Sequence, residues 1–147
     1  MRYTGLMLTD DQKHRIIQYV QNKPIELVYL FGSQATGRAG PLSDYDFAVL
    51  FNDELNASQR FDAKLDLISE LLGIVKTDHV DVVDLNVAPN GFCYSAIFPK
   101  EELFVRSKEI MSEFEFQTLS ETFDREYYVK RHTKESLKII ALEGLGN

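Results

Sequence analysis

Residues 29–51 read YLFGSQATGRAGPLSDYDFAVLF. Two apolar runs enclose a glycine-rich stretch, and the second run opens with aspartates at alternate positions, Asp44 and Asp46. The first run reaches back to Ile25 as IELVYLF, whose β-branched and aromatic content predicts a strand ending at Gly32. DYDFAVLF, residues 44–51, predicts a second strand, and the glycines and proline between the two predict a loop with room for one short helical turn. Side chains alternate along a strand, so Asp44 and Asp46 are expected on one face and Tyr45 on the other. At a rise of about 3.3 Å per residue, the two β-carbons lie roughly 6 to 7 Å apart.

Two like charges at the head of an apolar strand repel each other and resist desolvation. Oxygen ligands of this kind suit a hard divalent cation such as Mg²⁺, which relieves both penalties. The plain alternative for an isolated Asp-X-Asp is a frayed strand end facing water. The Gly-Ser pair closing the preceding strand favours the cation. Gly32 lacks a β-carbon, so another group can approach its backbone, and the amide and hydroxyl of Ser33 can donate to an anion. Phosphate held by such donors beside carboxylate-bound Mg²⁺ is a recurrent arrangement in phosphoryl and nucleotidyl transfer. The loop is not of the Walker type, because GSQATGRAG lacks the Gly-Lys-Ser/Thr ending.

A two-metal site needs a further acid. HVDVVDLN, from His79, predicts a third strand with Asp81 and Asp84 on opposite faces. Asp81 is preferred, since it shares a face with Val83 and Leu85, the side expected to meet the core. Asp84 is then expected as a surface or helix-capping acid.

Around these strands the sequence predicts helices. TDDQKHRIIQYVQN carries a capping box at Thr9 and Gln12 and an apolar stripe of Ile16, Ile17 and Val20, and Pro24 stops it. ELNASQRFDAKLDLISELLG predicts a helix capped by Asn56, with a stripe of Phe61, Leu65, Ile68, Leu71 and Leu72 and a stop at Gly73. PNGFCYSAIFPKEELFVRS predicts a short helix and a brief extended piece at ELFV. From Ser107 to about Gly144 a helical extension is expected, with Ile110, Phe114, Phe123 and Tyr127 as its stripe.

The 147 residues, 44% of them hydrophobic, suit one domain with a single core, its body over about 9–105 and the helical extension over about 107–145. A net charge of −7 argues against a surface that grips extended nucleic acid. The N-terminus lacks an apolar signal segment and no run reaches the roughly 18 residues of a membrane span, so a cytoplasmic protein is expected. Cys93 alone cannot form an internal disulfide and is read as a buried, inert thiol. His14, His79 and His132 match no metal-ligand spacing.

Gly32-Ser33, ten residues, then Asp44-Tyr45-Asp46 resembles the G-S-x10-D-x-D signature of the DNA polymerase β-like nucleotidyltransferase superfamily. With the acid in VDVVDL and so short a chain, it is most similar to the minimal nucleotidyltransferases. The VDVVDLNVAP segment and long C-terminal tail look like MntA-type antitoxins paired with HEPN ribonuclease toxins. The resemblance implies an α+β fold with a mixed sheet flanked by helices. It implies two Mg²⁺ ions on Asp44, Asp46 and Asp81, with ATP as substrate, its β- and γ-phosphates held by Gly32 and Ser33. Asp81 then acts as, or assists, the general base, and the acceptor is a tyrosine of the cognate HEPN toxin, whose AMPylation disables it. Relatives of the GSRARG kind carry an arginine inside the loop, where this chain has Gln34, Ala35 and Thr36. Arg38 either takes over triphosphate neutralisation or is an exposed loop arginine.

Tyr127 and Tyr128, among Arg125, Lys130, Arg131 and His132, admit two readings. One is a helix that packs one tyrosine and solvates its charges; the other is a docking face for an acidic partner. Two alternative functions also stand beside AMP transfer to a toxin: a non-catalytic antitoxin that covers its partner, and transfer to a small molecule. The chain leaves little room for the extra domain the latter needs.

Overall fold

The computed structural model describes residues 8–31, 45–98 and 100–145, the stretch 134–145 as backbone alone. Gly32, Ser33, Arg38 and Asp44, together with the loop that joins them, lie outside the described residues. The described elements run α1 (Asp10–Val20), β1 (Ile25–Phe31), β2 (Tyr45–Phe51), α2 (Ala57–Val75), β3 (Val80–Asp84), α3 (Asn90–Ile97), β4 (Lys100–Val105) and α4 (Lys108–Leu145). The fold is α+β, with one mixed sheet in the order β3-β2-β1-β4. β1 pairs antiparallel with both β2 and β4, while β2 and β3 run parallel.

Strand alternation divides the core between the two faces of this sheet. On one side Val28, Leu30, Phe47, Val49 and Val82 meet Ile16 and Val20 of α1 and Leu67, Leu71 and Ile74 of α2. On the other, Leu27, Tyr29 and Ala48 meet Cys93 and Ala96 of α3, with Met111 and Phe114 of α4 packed against them. The predicted capping box opens α1: Gln12 N donates to Thr9 Oγ1 at 3.1 Å, and Thr9 N donates to Gln12 Oε1 at 2.9 Å. Asn56 and Gln59 form the same box at α2, at 2.8 and 2.9 Å.

Three expectations are corrected. α2 does not stop at Gly73; it ends at Val75, where Lys76 takes the left-handed conformation at φ 60° and donates its N–H to Leu72 O. Its inner face is centred on Leu67, Leu71 and Ile74, and Phe61 and Leu65 are exposed. At 3.6 residues per turn those two lie more than about 100° round from that centre. In α4, Phe114 packs but Ile110, Phe123 and Tyr127 are exposed, because the inner face is Met111, Phe114, Thr118 and Thr122. Beyond Thr122 every described side chain of α4 is exposed, so neither Tyr127 nor Tyr128 packs into the core, and the Tyr128 ring instead lies 4.1 Å from the ring of His132.

Candidate active site

β2 takes its place in the sheet at Tyr45, whose N–H donates to His79 O at 2.7 Å. The next residue sets the site. Asp46 is paired with Phe31 of β1 on one side and with Asp81 of β3 on the other, and Phe31 is paired in turn with Lys100 of β4. Asp81, Asp46, Phe31 and Lys100 therefore form one row across all four strands. Directly opposed residues point to the same face. This face also carries Tyr29, Ala48 and Val83, the side covered by α3 and α4.

Asp46 is half-buried, and Asp81, on the edge strand, is exposed, its Oδ1 accepting from Val82 N at 2.9 Å. Asp84 points the other way. Its Oδ2 is ion-paired with Arg60 Nε of α2 at 3.2 Å and its Oδ1 accepts from Asn86 N at 2.9 Å. It is thus neither a surface acid nor a helix cap, but half-buried in a structural pair. The register brings Asp81, not Asp84, to Asp46.

Among the described residues no group of three His, Cys, Asp or Glu side chains is close enough to hold a metal ion. Asp46 and Asp81 supply two neighbouring carboxylates, a donor set that fits a hard cation such as Mg²⁺. Asp44, expected beside them, is outside the described residues.

At the β4 end of the row lies a cluster that composition and spacing did not single out. Lys100 Nζ contacts both carboxylate oxygens of Glu115 in α4, at 2.7 and 2.6 Å, and Glu102 Oε1 at 3.1 Å. It also sits 4.3 Å from the centre of the Tyr29 ring, and the Tyr29 hydroxyl donates to Glu115 Oε2 at 3.1 Å. Burial, then the neighbouring Glu115 charge, pushes the Tyr29 hydroxyl far above the ordinary phenol range, so it stays a donor. A lysine opening KEEL carries no signal of this; only the pairing of β4 with β1 reveals it. Cys93 is buried as expected, and burial raises its thiol pKa.

Residues 14–109 match the family described as Polymerase beta, Nucleotidyltransferase. The chain belongs to that family. Its sequence is also similar to the Protein adenylyltransferase MntA of Shewanella oneidensis, 31% identical over 94 residues. That match spans 63% of this chain and 64% of the relative, less than two thirds of the relative's length. Among solved structures, this family member resembles a chain of a toxin–antitoxin complex with AMP-PNP, with a TM-score of 0.66 at 23% identity, over 88% of this chain and 99% of that one. It also resembles a chain of a complex between a tri-AMPylated Shewanella oneidensis HEPN toxin and an MNT antitoxin, with a TM-score of 0.64 at 22% identity, over the same shares of the two chains. At these identities the two structures establish the common fold. No described helix is long and apolar enough to cross a membrane.

Proposed function

We propose that this nucleotidyltransferase is an antitoxin that transfers AMP from ATP to a tyrosine hydroxyl of a cognate HEPN-type ribonuclease toxin. The observation that carries the reading is the pairing of Asp46 with Asp81 on one face, at the end of the sheet where β1 runs into Gly32-Ser33. The similarity to an enzyme named an adenylyltransferase, and to a complex whose toxin is tri-AMPylated, supports AMP as the group and a toxin as the acceptor.

Asp44, Asp46 and Asp81 are the residues that would hold two Mg²⁺ ions. Bound there, Mg²⁺ supplies charge neutralisation for the phosphates and acidifies an oxygen ligand. Gly32 and Ser33, with Arg38 as a further candidate, would hold the β- and γ-phosphates through backbone, hydroxyl and guanidinium donors. Asp81, exposed on the edge strand, is where a tyrosine from another protein gains access. Its carboxylate takes or helps to take the phenolic proton as the tyrosine oxygen bonds to the α-phosphorus. The bond from that phosphorus to the bridging oxygen breaks, and pyrophosphate leaves. A cytoplasmic hetero-oligomer of antitoxin and toxin is the setting this chemistry requires, since ATP and the toxin must meet.

The test is Mg²⁺-dependent transfer of label from α-labelled ATP to a HEPN-type toxin that co-purifies with this chain. Asp46→Asn and Asp81→Asn are each expected to lower the rate by a factor of at least about 100. Undiminished labelling in Asp46→Asn would overturn the catalytic role. Full toxin neutralisation by that variant without labelling would instead mean that the protein acts by covering its partner.

A further inference from the structure

Lys100 stands at the end of the row opposite to Asp81. Adjacent strands lie about 4.8 Å apart, so its Cα is about 10 Å from that of Asp46, with Phe31 between them. Phe31 is half-buried and leads directly into Gly32. The order across the row is an exposed acid at one edge, an acid beside it, a flat apolar side chain, and a cation. That sequence of groups follows the layout of an acceptor, an α-phosphate and a polyphosphate tail.

A nucleoside triphosphate brings about four negative charges to a face that already holds Asp46, Asp81, Glu102 and Glu115. Among the described residues of the four strands, Lys100 is the one basic side chain on this face. Its ammonium is drawn towards Tyr29 by Glu115 and Glu102. Glu115 has a second donor in the Tyr29 hydroxyl, so the departure of Lys100 would not strip that carboxylate of hydrogen bonds.

We propose that Lys100 binds the tail phosphates of the nucleotide, exchanging the Glu115 carboxylate for phosphate when the triphosphate arrives, while the Tyr29 hydroxyl retains Glu115. This rests on the nucleotidyltransferase reading of the same site. Glu115 is then a competitor that holds Lys100 ready in the empty protein, and it ties nucleotide binding to the first half of α4.

The experiment measures binding of Mg²⁺ with a non-hydrolysable ATP analogue, and separately of AMP, to the full chain and its Lys100→Met, Lys100→Arg and Glu115→Gln variants. Lys100→Met is expected to weaken binding of the ATP analogue at least about tenfold and to leave AMP binding unchanged, because AMP lacks the tail. Lys100→Arg keeps the charge and is expected to retain most of the affinity. Glu115→Gln removes the competitor and is expected to bind the ATP analogue as tightly as the parent or more tightly. A clamp that only fastens α4 to the sheet predicts otherwise, with Lys100→Met and Glu115→Gln weakening both ligands alike, and that result overturns the proposal. Should Lys100→Met fail to fold, Glu115→Gln decides alone: unchanged or tighter binding supports the exchange, and weaker binding refutes it. A parent chain that binds neither nucleotide refutes the nucleotidyltransferase reading itself, whatever Lys100 does.

Discussion

Arg106 follows β4 and ends its long side chain on the other side of the chain's first turn. Its Nε donates to Ile25 O at 2.9 Å, and its Nη2 faces Val20 O, Gln21 O and Lys23 O at 3.3, 3.1 and 3.0 Å. The guanidinium thus gathers Gln21 O together with two carbonyls that also accept backbone bonds, Val20 O from Lys23 N and Lys23 O from Ile25 N, and so ties the turn after α1 to β1 and β4. Removing it takes away these charge-assisted bonds while the backbone donors of Val20 O and Lys23 O stay, and bonds from a charged donor are worth about 1.5 to 3 kcal/mol. Arg106→Ala is expected to lower unfolding stability by about 2 kcal/mol, read from urea denaturation, with Arg106→Lys recovering less than half, because a single ammonium cannot span the same fork. At this scale the sequence was legible where a side chain acts on near neighbours. The Thr9–Gln12 and Asn56–Gln59 boxes follow from a three-residue spacing, whereas the partners of Arg106 and Lys100 are set by strand pairing far along the chain.

At the scale of elements, α2 shows what a residue's identity can and cannot reveal. Gly73 looks like a terminator because glycine commonly closes helices, but it lies inside this one, with no atom within 4 Å of an added β-carbon. The residue in the left-handed conformation is Lys76, at φ 60°. Each is a local mismatch in opposite senses: a glycine where alanine is preferred, and a β-carbon where glycine is preferred. Gly73→Ala and Lys76→Gly are each expected to raise stability by about 1 kcal/mol, the first by limiting the unfolded chain and the second by relieving steric cost at φ > 0. Equal midpoints for parent and variants in urea would contradict both. The strands were easier to read, since IELVYLF and VDVVD are short apolar or alternating runs bounded by turn residues. Which face of α2 turns inward was harder. Phe61 and Leu65 extend its apolar pattern on to the solvent side, and periodicity alone does not say which stripe the sheet covers.

For the whole molecule, the row of Asp81, Asp46, Phe31 and Lys100 depends on a strand order that no local pattern contains. The acids could be listed as candidates from residues 44–46 and 81, but their meeting requires β2 and β3 to run parallel in one register. The cation at the far end requires β4 to return beside β1. α4 is the opposite case, a helix plain in the sequence whose packing is not. Its 38 residues span about 57 Å at 1.5 Å per residue. Among its described side chains the last fastened to the domain is Thr122, whose hydroxyl donates to Asn90 Oδ1 at 2.9 Å. The described side chains from Phe123 to Thr133 are exposed and add little to the core. A chain ending after Asp124 is therefore expected to melt cooperatively at nearly the parent's midpoint and to bind the ATP analogue with unchanged affinity. Phe114→Ala in the full-length chain, by contrast, removes a ring packed against the core cluster on this face of the sheet, and a loss of about 2 kcal/mol is expected for a side chain of this size that is only half-buried. Thermal melts and nucleotide titrations on these two proteins separate the roles. If truncation lowers the midpoint as far as Phe114→Ala does, the outer half of α4 belongs to the folding unit after all. If only Phe114→Ala does so, the folding unit takes in α4 as far as Thr122 and not its outer half.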